Sequence, residues 1–329
     1  MPELKRVSIV GSGSCVPDKV LSNAYFEKIV DTSDEWITTR TGIKERRVVE
    51  SNVATSDLAT TAARRALESA KITPEQLDLI IIGTVTPDNL FPSTACHVQR
   101  NIGAINATAF DISAACCGFL YSLGVGYKLV STGSYKNALV IGADILTKIT
   151  DYTDRGTCVL FGDGSGAAIV RASEKPGGIL GTFLKSNGAL WHLLTIPVGG
   201  TRSPYDPATA VNGDRCIQMA GPEVYKNAVK AMGEAGVEVL RRTGLTPDDI
   251  SLLIPHQANI RIIHSTASKL GMPLEKVYIN IQEYGNTSSA SIPIALNEAI
   301  RLGRIKPGDK VLMVAFGGGF TWGAVIVEF

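Results

Sequence analysis

The stretch Ile72-Thr73-Pro74-Glu75-Gln76-Leu77-Asp78-Leu79-Ile80-Ile81 has a second copy in the chain. It returns as Leu245-Thr246-Pro247-Asp248-Asp249-Ile250-Ser251-Leu252-Leu253-Ile254, at an offset of 173 residues. In both copies a threonine takes the N-cap position, a proline the first helical position, and an amide or acid the third. An apolar run of strand length follows. Before each copy, Leu58 to Ala70 and Val224 to Arg242 carry apolar residues at helical spacing. The offset of 173 holds further on, where Asn137–Gly142 matches Lys310–Ala315. A third match sets Phe161-Gly162-Asp163-Gly164, through Val170, against Phe316-Gly317-Gly318-Gly319, through Val327. Its offset is 155, which implies an extra loop near Thr147 to Val159. Three matches in chain order predict a duplicated α/β fold, with one half over residues 1–173 and the other over 174–329.

The predicted strands Leu79–Gly83, Ala138–Ile141 and Val311–Val314 are continuous apolar runs. Such strands belong in sheets covered on both faces. The segment Cys116 to Thr132 holds one charge, Lys128, and is apolar or small all round. A helix of that composition is predicted to be buried on every side. The expected architecture is two pseudo-symmetric sheets with a helical layer between them.

Composition narrows the function. The 329 residues are 45% hydrophobic and 19% charged, with 32 Lys+Arg against 31 Asp+Glu. A net charge of +1 excludes a strongly basic nucleic-acid binder, though not a local basic patch. None of the six cysteines forms a C-x-x-C pair, so neither a zinc site nor a redox pair is indicated. The charged start, Met1 to Arg6, is unlike a signal peptide. The uncharged run Ile112 to Tyr127 is too short for a membrane span. The expectation is a cytoplasmic protein with reduced thiols.

Three turns carry candidate chemistry. In Asp111-Ile112-Ser113-Ala114-Ala115-Cys116-Cys117-Gly118-Phe119, a strand runs into the buried helix. A cysteine at a helix start has its thiolate favoured and is a better nucleophile, although buried structural cysteines are common. His256, in Ile254-Pro255-His256-Gln257-Ala258-Asn259, follows a strand directly, where active-site loops of α/β proteins sit. The small-residue turn Tyr284-Gly285-Asn286-Thr287-Ser288-Ser289-Ala290-Ser291 is the pseudo-symmetric partner of the cysteine turn, since the offset carries Cys116 onto Ser289. Asn286 offers an amide donor there; an ordinary cap turn is the plainer reading. Gly317-Gly318-Gly319 presents unshielded N–H groups suited to an oxyanion hole. Gly11-Ser12-Gly13 lacks the third glycine of a dinucleotide loop, because Val16 stands there.

Taken together, these motifs resemble β-ketoacyl-acyl-carrier-protein synthase III of bacterial type II fatty acid synthesis, over the whole chain. The resemblance implies a duplicated thiolase-like fold, layered αβαβα, and a homodimer. It implies Cys116 as nucleophile, with His256 and Asn286 completing the catalytic set, and Cys116 and Gly318 supplying the oxyanion N–H groups. Cys117 stands where the family often has alanine. The implied reaction loads an acyl group from acyl-CoA onto Cys116. Malonyl-acyl-carrier protein then loses CO2 and attacks the thioester. Trp36, Arg40, Arg155 and Asn259 look like CoA contacts, and Phe91 like a residue lining the acyl pocket across the dimer interface. Lys226, Arg261 and Lys269 look like the basic patch that receives acyl carrier protein. No cofactor or metal is implied, because CoA thioester is a substrate; no nucleic acid or membrane partner is implied either. The rivals are a condensing enzyme of secondary metabolism, an acyl-thioester hydrolase and a non-catalytic carrier-binding protein. The primer is left open, as are the roles of the loop Leu190 to Pro204 and of Trp191 and His192 within it.

Overall fold

Both Thr-Pro motifs fold as a 3₁₀ turn, Pro74–Gln76 and Pro247–Asp249, in a computed structural model that describes residues 4–209, 211 and 213–329. Met1, Pro2 and Glu3 of the leading stretch lie outside the described residues. The reciprocal cap forms in both copies. Thr73 N–H donates to Gln76 Oε1 at 2.9 Å, and Thr246 N–H donates to Asp249 Oδ2 at 2.8 Å. Each turn delivers a fully buried strand, Leu79–Gly83 or Leu252–Pro255. The preceding helices are Thr55–Ala70 and Gly221–Thr243, and both start earlier than the apolar spacing predicts. Their first turns, Thr55-Ser56-Asp57 and Gly221-Pro222-Glu223, are polar or carry proline and so show no apolar period.

The first half builds a five-stranded sheet in the order Arg6–Cys15, Asp163–Ser173, Asn137–Ile145, Leu79–Gly83, Thr108–Ile112. The second builds a four-stranded sheet in the order Leu252–Pro255, Lys310–Gly317, Thr321–Glu328, Gly178–Ser186. Leu79 pairs with Ala138, and Leu252 with Val311, both in parallel register. The 173-residue offset is therefore a structural equivalence. The third match is corrected. Ala138 faces Val170 and Val311 faces Val327, so the antiparallel strands correspond at 157 rather than 155. Phe161-Gly162 lies in the connection before its strand, whereas Phe316-Gly317 closes its strand. The inserted loop of the first half shifts the glycines out of step.

The helices Gly118–Ser131 and Ser291–Arg301 lie between the sheets. One hydrophobic cluster joins Leu79, Ile81 and Val140 to Phe119, Leu123, Ile292 and Leu296, and these to Ile254, Met313 and Val325. Alternate residues point outward, Ile80 and Ile82 onto Ala59 and Ala63, and Leu253 and Leu312 onto Ala235 and Val239. Period-2 side chains with cover on both faces produce the apolar runs. The layers are αβαβα, as expected. The helix Gly118–Ser131 is not buried on every side: Tyr121, Val125 and Leu129 are half-buried and Lys128 is exposed. Among the described residues, no helix is long and apolar enough to cross a membrane.

Candidate active site

Cys116 sits on a 3₁₀ turn, Ala115–Cys117, that links the strand Thr108–Ile112 to the middle helix. Ala115 takes a left-handed backbone, φ +48°. The equivalent turn, Ser288–Ala290, has Ser288 at φ +51°, and it leads into the other middle helix. Buried Asp144 ties this second turn to the first sheet. Its Oδ2 accepts from Ser289 N–H at 3.2 Å, and its Oδ1 from Val85 N–H at 2.8 Å and Thr84 Oγ1 at 3.0 Å.

Two effects oppose each other at Cys116. Burial pushes the Cys116 thiol up to about 12, and a hydrogen bond from Ser288 offsets this only in part. A helix terminus favours the thiolate locally, but desolvation by both halves outweighs it. His256 is buried directly after the strand Leu252–Pro255, and its N–H extends the ladder to Val314 O at 2.8 Å. Burial holds this imidazole down at about 3, so it is neutral at working pH. Both shifts act against a thiolate–imidazolium pair.

Asn286 is stitched to the first half by Asn286 N–H to Leu160 O, 2.9 Å, and Gly162 N–H to Asn286 O, 3.0 Å. Its side-chain Oδ1 accepts from Ser288 N–H at 2.9 Å. Its amide nitrogen has no protein acceptor among the described residues and is left as a donor.

Cys116, His256, Asn286, Gly317, Gly318 and Asn259 all line one cavity of about 500 Å³. Its other walls are largely apolar, among them Leu146, Phe161, Ile217, Met232 and Ile262. The glycine run presses on Cys116: a Cβ on Gly317 would lie 2.7 Å from Cys116 N. Gly318 N–H donates to no protein acceptor among the described residues. An unfilled donor beside the Cys116 backbone can receive an oxyanion.

Trp36 is half-buried on the helix Asp34–Thr41, with the guanidinium of Arg40 5.0 Å and that of Arg155 5.2 Å from its ring centre. Asn259 joins this group to the cavity by donating to Arg40 O at 3.0 Å. Its Oδ1 also accepts from Arg261 N–H, which makes it the cap of the helix Ile260–Lys269. Lys226, Arg261 and Lys269 are exposed on two helices that pack together. Phe91 is 86% exposed and lies off its own chain's cavity. Ser288 and Ser291, which hold Asn286 and His256, stand in the sequence only as members of the small-residue turn. The offset of 173 applied to Ala115 and Gly118 locates both.

Residues 110–188 match the family described as 3-oxoacyl-[acyl-carrier-protein (ACP)] synthase III, and residues 240–329 match its C-terminal counterpart. The β-ketoacyl-[acyl-carrier-protein] synthase III of Caldanaerobacter subterraneus subsp. tengcongensis is 55% identical, across 100% of this chain and 99% of that protein. The one from Clostridioides difficile is 52% identical, across 98% of each. The crystal structure of 3-oxoacyl-[acyl-carrier-protein] synthase III from Aquifex aeolicus superposes with a TM-score of 0.91 at 50% identity, covering 98% of this chain and 100% of that one. With the layered fold, the paired turns and full-length identity above one half, the chain belongs to the β-ketoacyl-acyl-carrier-protein synthase III family of condensing acyltransferases.

Proposed function

We propose that the chain starts fatty acid synthesis by condensing an acyl-CoA primer with malonyl-acyl-carrier protein, through an acyl thioester on Cys116. The convergence of Cys116, His256, Asn286 and Gly318 on one cavity carries this reading. In the first stage the Cys116 sulfur bonds to the acyl carbon and the bond to CoA sulfur breaks. The thiol proton leaves with CoA, so no standing thiolate is needed. The N–H groups of Cys116 and Gly318 receive the oxyanion. In the second stage malonyl-acyl-carrier protein loses CO2, and His256 and Asn286 donate to the enolate oxygen. The enolate carbon attacks the thioester, and the released Cys116 sulfur takes a proton from solvent. Decarboxylation makes the carbanion, so donors suffice and no carboxylate base is required.

Trp36, Arg40 and Arg155 offer a stacking and cationic platform for the CoA nucleotide, with Asn259 between platform and cavity. Lys226, Arg261 and Lys269 form a basic face for acidic acyl carrier protein. Exposure of Leu90 and Phe91, at 94% and 86%, supports a homodimer in which Phe91 enters the neighbouring acyl pocket. Curated synthase III relatives at 51–55% identity, each spanning at least 98% of this chain, support primary over secondary metabolism. Mass spectrometry after incubation with a panel of acyl-CoAs tests the scheme. Wild-type chain gains one acyl group on the Cys116 peptide, and Cys116→Ser gains none; acylation elsewhere, or condensation by Cys116→Ser at the wild-type rate, overturns it.

A further inference from the structure

The two halves differ at one crossing of strand end and middle helix. By the 173-residue offset, His256 corresponds to Gly83 and Ser291 to Gly118. The two glycines pack backbone to backbone, and a Cβ on Gly83 would fall 2.2 Å from the Gly118 carbonyl carbon. In the second half two side chains fill that crossing and bond each other. His256 Nδ1 and Ser291 Oγ are 2.7 Å apart, and both residues are buried.

The hydrogens at this contact can be counted. Ser291 Oγ already accepts from Gln257 N–H at 3.3 Å. Gln257 is itself held, donating from Nε2 to Pro255 O and Tyr278 O and accepting at Oε1 from Asn280 N–H. If Nδ1 carried the imidazole proton, Ser291 Oγ would accept twice. Its own buried hydrogen would then have no acceptor among the described residues, which is a costly arrangement. If Ser291 donates to Nδ1 instead, every group at the crossing is satisfied. The proton of His256 then sits on Nε2, which makes no protein hydrogen bond among the described residues.

We propose that Ser291 is a positioning residue that donates to Nδ1 of His256 and so keeps the imidazole proton on Nε2, available to the substrate. The inference rests on the reading of His256 as a donor to the enolate. A tautomer fixed from behind gives the donor function without any titration during turnover.

Nitrogen NMR of the full-length protein, labelled at histidine, tests the inference, with His256→Ala identifying the resonances. The wild-type spectrum is expected to show a bare Nδ1 and a protonated Nε2. Ser291→Ala is expected to move proton density to Nδ1 and to slow malonyl-thioester decarboxylation by roughly tenfold, as loss of an orienting partner does. Loading of Cys116 from acyl-CoA should change by less than about twofold, because that stage does not use the Nε2 proton. A wild-type spectrum with the proton on Nδ1 overturns the inference, even if Ser291→Ala does not fold. So does a Ser291→Ala protein with unchanged tautomer or unchanged decarboxylation. Undiminished decarboxylation by His256→Ala would instead remove the donor reading itself, whatever Ser291 does.

Discussion

Ala115 and Ser288, 173 residues apart, hold the same left-handed backbone, and the 3₁₀ turns they open touch each other between the sheets. Neither residue is glycine, so each carries about 1–2 kcal/mol of local strain. The two turns bring Cys116 and Asn286 to the lining of one cavity. Ala115→Gly relieves the strain but loosens the unfolded chain, so unfolding free energy should stay within ~1 kcal/mol of wild type. Ala115→Val places a branched side chain in the same region, against Gly317 and Gly318, and should lose about 2 kcal/mol or more. Denaturant titrations of the two variants measure both values.

Gly317→Ala should abolish most acyl loading. The new Cβ would sit 2.7 Å from Cys116 N and displace the donor that faces the oxyanion. Losing one such donor costs about 10²–10³ in rate. Single-turnover loading of the Cys116 peptide reads this directly, and wild-type loading would exclude the N–H group from the chemistry.

Much of this geometry was legible in the sequence because the duplication is written in buried strands. Leu79 and Leu252 cannot change character without disturbing two helical layers, so the offset survives in their apolar runs. His256 is legible because it follows a strand's carboxyl end, and Cys116 because it opens a helix. The resting state of Cys116 was not legible. Its helix start is a local feature, but its desolvation comes from the cavity that both halves close around it, and the Ser288 hydrogen bond that opposes the shift comes from the other half. Ser291 reads in sequence as an ordinary small residue opening a helix, and only the fold puts it behind an imidazole. Glycine matching misplaced the third repeat, since an inserted loop preserves composition while shifting register.

The Trp36 platform should serve the nucleotide end of CoA only. Trp36→Ala should raise KM for acyl-CoA by roughly tenfold, the scale of one lost base–aromatic stack. With an acyl-pantetheine donor, which lacks the nucleotide, the same variant should match wild type. Equal losses with both donors would show that Trp36 acts through the fold, by way of Arg40 and Arg155.

The half-buried Cys116 thiol and the buried imidazole bracket the pH response. His256 is held near 3 against an ordinary 6.5, so the stability of its neutral form is complete above about 6.5 and lost as pH falls toward 3. Cys116 is raised to about 12 from 9.0, so its contribution is complete below about 9 and lost as pH rises toward 12. His256→Ala lacks the first titration. The stability gap between wild type and this variant should therefore narrow from about pH 7 to about pH 4. Iodoacetamide should alkylate Cys116 at a rate that climbs through pH 9 without levelling. A plateau near neutrality would show a standing thiolate.

The glycine crossing of the first half leaves the chain with a single histidine-bearing crossing. Gly83 and Gly118 approach so closely that neither can carry a side chain, and no second histidine can be built where symmetry would put one. A twofold repeat therefore holds a single reactive centre. Ser289 stands where symmetry would put a second Cys116, so each polypeptide should take up one acyl equivalent, while the other half of the repeat serves as the wall against which that centre is aligned.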